Sequence, residues 1–105
     1  MQTDPKVPIV LDQLKVEDFL PLVGQSLDVE FGAQRTPLEI KEASTINSPS
    51  PRATPAFHVV MRSRSNWRVP QGIFRLHHPA LGALDIFTVP IGPDGQGFCY
   101  EIVFN

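Results

Sequence analysis

From Leu27 onward the apolar residues recur at every second position, in short runs broken by glycine and proline. Leu27, Val29 and Phe31 alternate with Asp28 and Glu30, and Leu38 and Ile40 alternate with Glu39 and Lys41. Phe57, Val59 and Met61 then alternate with His58, Val60 and Arg62. Successive side chains of a strand point to opposite faces, so this rhythm describes strands with one dry and one wet face. Three further runs complete the set: residues 72–77, residues 84–89 closed by Pro90, and residues 98–104. Pro79-Ala80-Leu81-Gly82 separates the first two as a turn, and Gly92-Pro93-Asp94-Gly95-Gln96-Gly97 separates the last two. Glycine supplies positive φ in such turns and proline presets a bend. Six strands joined mostly by hairpin-length turns predict a mainly β, antiparallel fold. On a chain of 105 residues it closes as a small barrel or a two-layer sandwich.

The segment ahead of the strands has a different period. Phe19, Leu22 and Val23 follow helical spacing, Glu17 and Asp18 suit a first turn, and Gly24 is a natural stop. Pro21 is tolerated only in an opening turn, so a short N-terminal helix or a pair of helical turns fits, placed over one opening of the sheet. Residues 1–13 read as an extended arm and residues 14–105 as a single β-rich domain. Asp4, Pro5, Lys6 and Pro8 stand where a secretory leader would carry a basic segment and an apolar block. No apolar run approaches the roughly 20 residues of a membrane-spanning helix. Cys99 is the sole cysteine, so no internal disulfide can form, and a cytoplasmic location is the default expectation. Residues 44–55, with Pro49, Pro51 and Pro55 among Ser, Thr and Asn, read as a long exposed loop.

The formal net charge of −2 argues against a general nucleic-acid or membrane-surface binder, yet the charge is unevenly placed. Residues 43–84 contain no acid and carry Arg52, Arg62, Arg64, Arg68 and Arg75. Left segregated, such charges make a two-signed surface that favours an oppositely charged partner or head-to-tail self-association. Strand pairing joins distant segments, however, and the expectation is that it interleaves the two signs and cancels the field.

Candidate chemistry is sparse. His77 and His78 are adjacent, so on a strand they face opposite sides and cannot chelate one ion. A structural imidazole bonded to a turn carbonyl is the expected role. Cys99 lies between Phe98 and Tyr100 and is expected to be an inert thiol. There is no Gly-x-Ser-x-Gly elbow, no phosphate loop at residues 92–97, and no calcium loop around Asp94 and Gly95. No catalytic set, metal or cofactor is therefore expected. Enzyme activity would require a pocket in which His58, His77 or His78 meets Cys99, Asp85 or Glu101 within hydrogen-bond reach.

One patch stands out: Arg62, Arg64, Trp67 and Arg68, within Arg62-Ser63-Arg64-Ser65-Asn66-Trp67-Arg68. Guanidinium groups around an indole can grip phosphates while the ring stacks on a base, or anchor a protein partner. The bland alternative is a solvated loop with Trp67 folded back as a lid on the core. The last strand offers another route, because at a sheet edge it would pair with a second chain. These features favour a non-enzymatic protein-interaction or assembly-accessory domain, with a protein partner or self-association. The alternative is a small-molecule or anion binder at the barrel mouth, anchored by Arg62, Arg64 or Arg75.

The chain also resembles a family of small bacterial proteins that lacks an assigned activity. The resemblance begins at Asp18-Phe19 and Pro21-Leu22-Val23-Gly24 and strengthens over Pro70-Gln71-Gly72, Leu76, His78-Pro79 and Leu81-Gly82. It continues through Leu84, Ile86-Phe87, Val89-Pro90-Ile91-Gly92 and Asp94, and ends on Tyr100-Glu101 and Val103-Phe104-Asn105. It departs where the family tends to carry a Phe-Arg-Gly-Pro-like turn and this chain has Met61-Arg62-Ser63-Arg64. The resemblance implies no catalytic residues. Through the association of related genes with phage-tail-collar-like proteins, it implies an accessory or assembly role. As scaffold, Gly72, Gly82 and Gly92 would serve turns and strand entries, Pro79 and Pro90 would bound strands, and Phe87, Tyr100 and Phe104 would fill a core.

Overall fold

The alternating runs become strands, and the strands close on themselves. A computed structural model describes residues 14–46, 55–64 and 67–104. The arm at residues 1–13 and most of the proline-rich loop (residues 47–54) lie outside the described residues. The strands are β1 (Ser26–Phe31), β2 (Gln34–Thr45), β3 (Phe57–Ser63), β4 (Gly72–His78), β5 (Gly82–Pro93) and β6 (Phe98–Phe104). They form a closed barrel in the order β1-β2-β3-β6-β5-β4, every neighbour antiparallel. Of barrel and sandwich, the fold is the barrel. The seam is narrow, since β1 meets β4 through only Val29–Leu76 and Glu30–Arg75. No helix among the described residues is long and apolar enough to cross a membrane.

The inward positions fill the interior with side chains. Val29, Leu38, Ile40, Phe57, Val59, Met61, Phe74, Leu76 and Tyr100 are fully buried. One end is closed by two successive 3₁₀ turns, Val16–Asp18 and Leu20–Leu22. The Lys15 N–H donates to the Asp18 carboxylate at 2.8 Å, which caps the first turn. Pro21 has no N–H to extend an α-helical ladder, and the chain remains in tight i→i+3 bonds. Gly24, at φ +92°, then turns the chain into β1, a conformation that side chains disfavour. Its N–H donates to the Ile40 carbonyl at 2.8 Å, tying the turns to β2.

Phe19 hangs from these turns into the barrel end, with ring centroids 6.0 Å from Phe57, 5.7 Å from Phe104 and 5.3 Å from His78. His78 Nε2 donates to the Asp18 carbonyl at 2.7 Å, while Nδ1 accepts the N–H groups of Ala80 and Leu81. These partners fix the tautomer and make His78 the structural imidazole that the sequence leads one to expect. The opposite end is closed by Trp67 and Val69. The Tyr100 hydroxyl accepts the Val69 N–H and donates to the Trp67 carbonyl, each at 3.1 Å.

Three expectations need correction. First, Pro90 does not end its strand: β5 continues to Pro93 through a bulge, with Pro90 opposite Tyr100, Gly92 opposite Cys99 and Ile91 left over. A residue without an N–H is tolerated where the ladder is already interrupted. Second, Phe87 is not in the core but 52% exposed, because Leu84, Ile86 and Thr88 take the inward side of β5. Third, residues 44–45, read as the start of the loop at residues 44–55, belong to β2, whose pairing with β3 runs through Thr45 opposite Phe57. The open question of an edge position for β6 is also settled: it lies between β3 and β5. Strand addition at β6 is thereby ruled out in the closed barrel.

Candidate functional site

The arginine and tryptophan patch is dispersed by the fold. Arg62 points outward from β3, yet its side chain is only 10% exposed. Its guanidinium donates to Asp94 at 2.6 Å and to Glu39 at 3.2 Å. Arg64 donates twice to the same Glu39 oxygen, at 3.0 and 2.9 Å. Lys41 is the extra residue of a bulge in β2, and from there its ammonium reaches Asp94 at 2.9 Å. Lys41, the Gln96 N–H and Arg62 together hold the Asp94 carboxyl far below the usual carboxylate range. Arg64 and Arg62 lower that of Glu39.

Gly97 makes this arrangement possible. A Cβ there would lie 2.2 Å from the Ser63 carbonyl oxygen and 2.8 Å from Arg62 Cγ, so only glycine lets the β5–β6 turn lie across the end of β3. Trp67 packs against Phe74 and Tyr100, each with centroids 5.7 Å away, and acts as the lid on the core. Arg68 stands 4.6 Å above the Phe98 ring. The four residues therefore do not converge. Two guanidinium groups close an ion cluster, one indole plugs an end, and one guanidinium covers a ring.

A second cluster was hidden in the sequence. On β3, His58 Nδ1 lies 2.8 Å from Glu101 of β6. Its Nε2 lies 2.7 Å from Ser44 Oγ and 3.0 Å from Glu42, both on β2. The layout has the members of a serine–histidine–acid array, with a second carboxylate, Glu42, on the same imidazole nitrogen as Ser44. Hydrogen bonds to Glu101 and Glu42 raise the imidazole pKa, favouring a cation that donates from both nitrogens. In the cationic form Nε2 donates toward Ser44 Oγ, whose hydroxyl in turn donates to Glu42 at 3.2 Å. The cluster ties three strands together. Sequence reasoning paired His58 with Glu101 as a possibility but missed Glu42 and Ser44. The Ser44–His58 register that would have revealed them depends on the bulge at Lys41.

The remaining candidate groups are also engaged or buried. His77 bonds Glu30, whose carboxyl this contact holds below its ordinary pKa. Cys99 is buried, and burial with Asp94 nearby pushes its thiol pKa up, leaving little nucleophilic thiolate. Among the described residues no three His, Cys, Asp or Glu side chains are grouped to hold a metal ion. Interleaving has also cancelled much of the basic segment's field, since Arg62, Arg64 and Arg75 all meet carboxylates.

The outer wall of β4 and β5 differs. Ile73 and Phe87 face each other across the ladder and are 56% and 52% exposed. One step along, Arg75 and Asp85 form the next outward pair, with Nε and Nη2 donating to the two carboxylate oxygens at 2.8 and 3.1 Å. Ile73, Arg75 and Asp85 also border a shallow groove of about 220 Å³, completed by Glu30 and Gly32. Ile91 and Val103 add exposed apolar area on β5 and β6. An exposed apolar pair beside an intact ion pair is more informative than a lone exposed leucine.

Fold and site together define a class: a small closed antiparallel β-barrel with a side-chain-filled interior and an apolar strip on one outer wall. The family model Domain of unknown function (DUF6916) matches residues 14–104, and the chain belongs to that family. No curated protein and no solved structure matches it.

Proposed function

We propose that this domain is a non-enzymatic protein-binding module whose contact surface is the outer wall of β4 and β5. The carrying observation is the Ile73–Phe87 pair, two large apolar side chains held side by side in solvent by a rigid ladder. Burying such side chains against a partner contributes roughly 1.5–3 kcal/mol each when complete. Preorganisation on a strand keeps the entropic cost of ordering them low. The non-enzymatic part of the reading rests on His58 engaged between two carboxylates and on Cys99 buried with a raised thiol pKa.

The anion-binding alternative is weaker. Arg62, Arg64 and Arg75 each already face a carboxylate, which repels the ligand they would have to hold. The test is a photo-crosslinking residue placed at position 87, with position 17 on the terminal turn as control. Protein adducts at 87 and not at 17 are expected in the native host. Equal adducts at both positions, or none at 87, would overturn the reading.

A further inference from the structure

The pattern on this wall is self-complementary, and we propose that a second copy of this chain occupies it through a twofold axis parallel to the strands. This rests on the reading of the β4–β5 wall as a contact surface. Three outward rows cross the ladder: Ile73 opposite Phe87, Arg75 opposite Asp85, and His77 opposite Ala83. A twofold axis in the contact plane, running between β4 and β5, lays the β4 of one copy over the β5 of the other. Ile73 then covers the second copy's Phe87, and Arg75 covers the second copy's Asp85. The first two rows are matched, apolar on apolar and cation on anion, and His77 covers the second copy's Ala83.

The other in-plane axis, perpendicular to the strands, does not do this. Passing between the rows, it sets Ile73 on the second copy's Arg75 and Phe87 on the second copy's Asp85. Passing through the Ile73–Phe87 row, it sets Arg75 over Gln71, because the rows are reversed. The sequence of side chains on the wall thus selects one geometry.

The ion pair is suited to being shared. Arg75 uses Nε and Nη2 on Asp85, and a guanidinium carries five N–H donors, so others remain for a second carboxylate. Both members are about half exposed, 53% and 52%, and therefore accessible. Stacking two such pairs head to tail makes a ring of four alternating charges beside the apolar row. A standard stable interface takes about 800 Å² from each partner. The chain exposes 6130 Å² in all, so a wall of two strands out of six can supply that area.

Light scattering over a broad concentration range up to millimolar is the test. The mass is expected to rise from that of an 11.7 kDa monomer to twice that value. Arg75→Asp places two acids against two acids across the axis, and Asp85→Arg places two cations against two cations. Each variant alone is expected to remain monomeric. Mixed together they restore both cation–anion contacts across the axis and form a heterodimer, and the double exchange in one chain restores the homodimer. Phe87→Asp, at an exposed position, gives a monomer whatever the charges do. Circular dichroism establishes that each variant is folded.

A wild type that stays monomeric at millimolar concentration overturns the pairing, as does a dimer whose mass neither Arg75→Asp nor Phe87→Asp changes. Failure of the mixed variants to associate also overturns it. If the wild type is monomeric while position 87 crosslinks to a different protein, the twofold pairing falls and the contact-surface reading stands. If position 87 gives no adduct at all, both fall.

Discussion

The barrel has two kinds of outer wall. Over β2, β3 and β6 the outward residues are largely polar, yet several are hidden. Val60, level with Glu42 and Glu101, is 7% exposed, and Arg62 is 8% exposed beneath a turn held close by Gly97. Over β4 and β5 the outward residues include Ile73 and Phe87, and these stand in solvent. Residue polarity therefore does not rank exposure here. The wall with the richest chemistry has closed it into ion clusters between its own strands, and the plainer wall leaves its apolar pair open to solvent.

Gly97→Ala should give the largest effect, because the added Cβ meets backbone at 2.2 Å and the turn must lift away from β3. Overpacking of this kind costs about 1–3 kcal/mol. Chemical denaturation that detects no change would show that the turn does not press on the ion cluster. Next, Arg62→Ala removes the buried cation that Asp94 and Glu39 share, leaving Asp94 to Lys41 and Glu39 to Arg64, whereas Arg75→Ala frees one exposed carboxylate. The first should lower Tm by several degrees and the second should barely move it. Equal shifts would erase the distinction between the walls.

The His58 cluster makes a smaller, pH-dependent contribution. Its folded pKa is raised above the unfolded value of about 6.5. The stabilisation is therefore fully present below that value and is lost as pH rises through the folded pKa. Thermal melts should show stability falling from near neutrality upward, and His58→Gln should flatten that slope while Arg75→Ala leaves it unchanged. Smallest of all is Phe87→Asp: its side chain contributes little to folding, so monomer stability should stay within about 0.5 kcal/mol. A loss of several times that in urea titration would return Phe87 to the core and close the open wall.

Much of this fold could be read before the strands were paired. Leu27 and Val29, Phe57 and Val59, and Leu84 and Ile86 all point inward, as period-two alternation requires. The same rule, applied strictly, would have turned Phe87 outward. Its aromatic character gave the opposite expectation, and parity prevailed. The Trp67 lid and the His78 turn bond were legible as local, structural roles. Arg62 was not, because its partners Glu39 and Asp94 are 23 and 32 residues away. They reach it only through register shifts at Lys41 and Ile91, which no local pattern announces.

The sequence by itself determined that there are six strands and roughly where, which face of most is dry, and that no familiar catalytic or metal motif is present. Those properties depend on neighbours one or two positions away, where the alternation of Cβ directions acts directly. Tertiary structure alone decided barrel over sandwich, which acids pair with Arg62, Arg64 and Arg75, and the exposure of one apolar pair beside one ion pair. Each of these depends on which distant strands become neighbours and in what register, and a single bulged residue changes that answer.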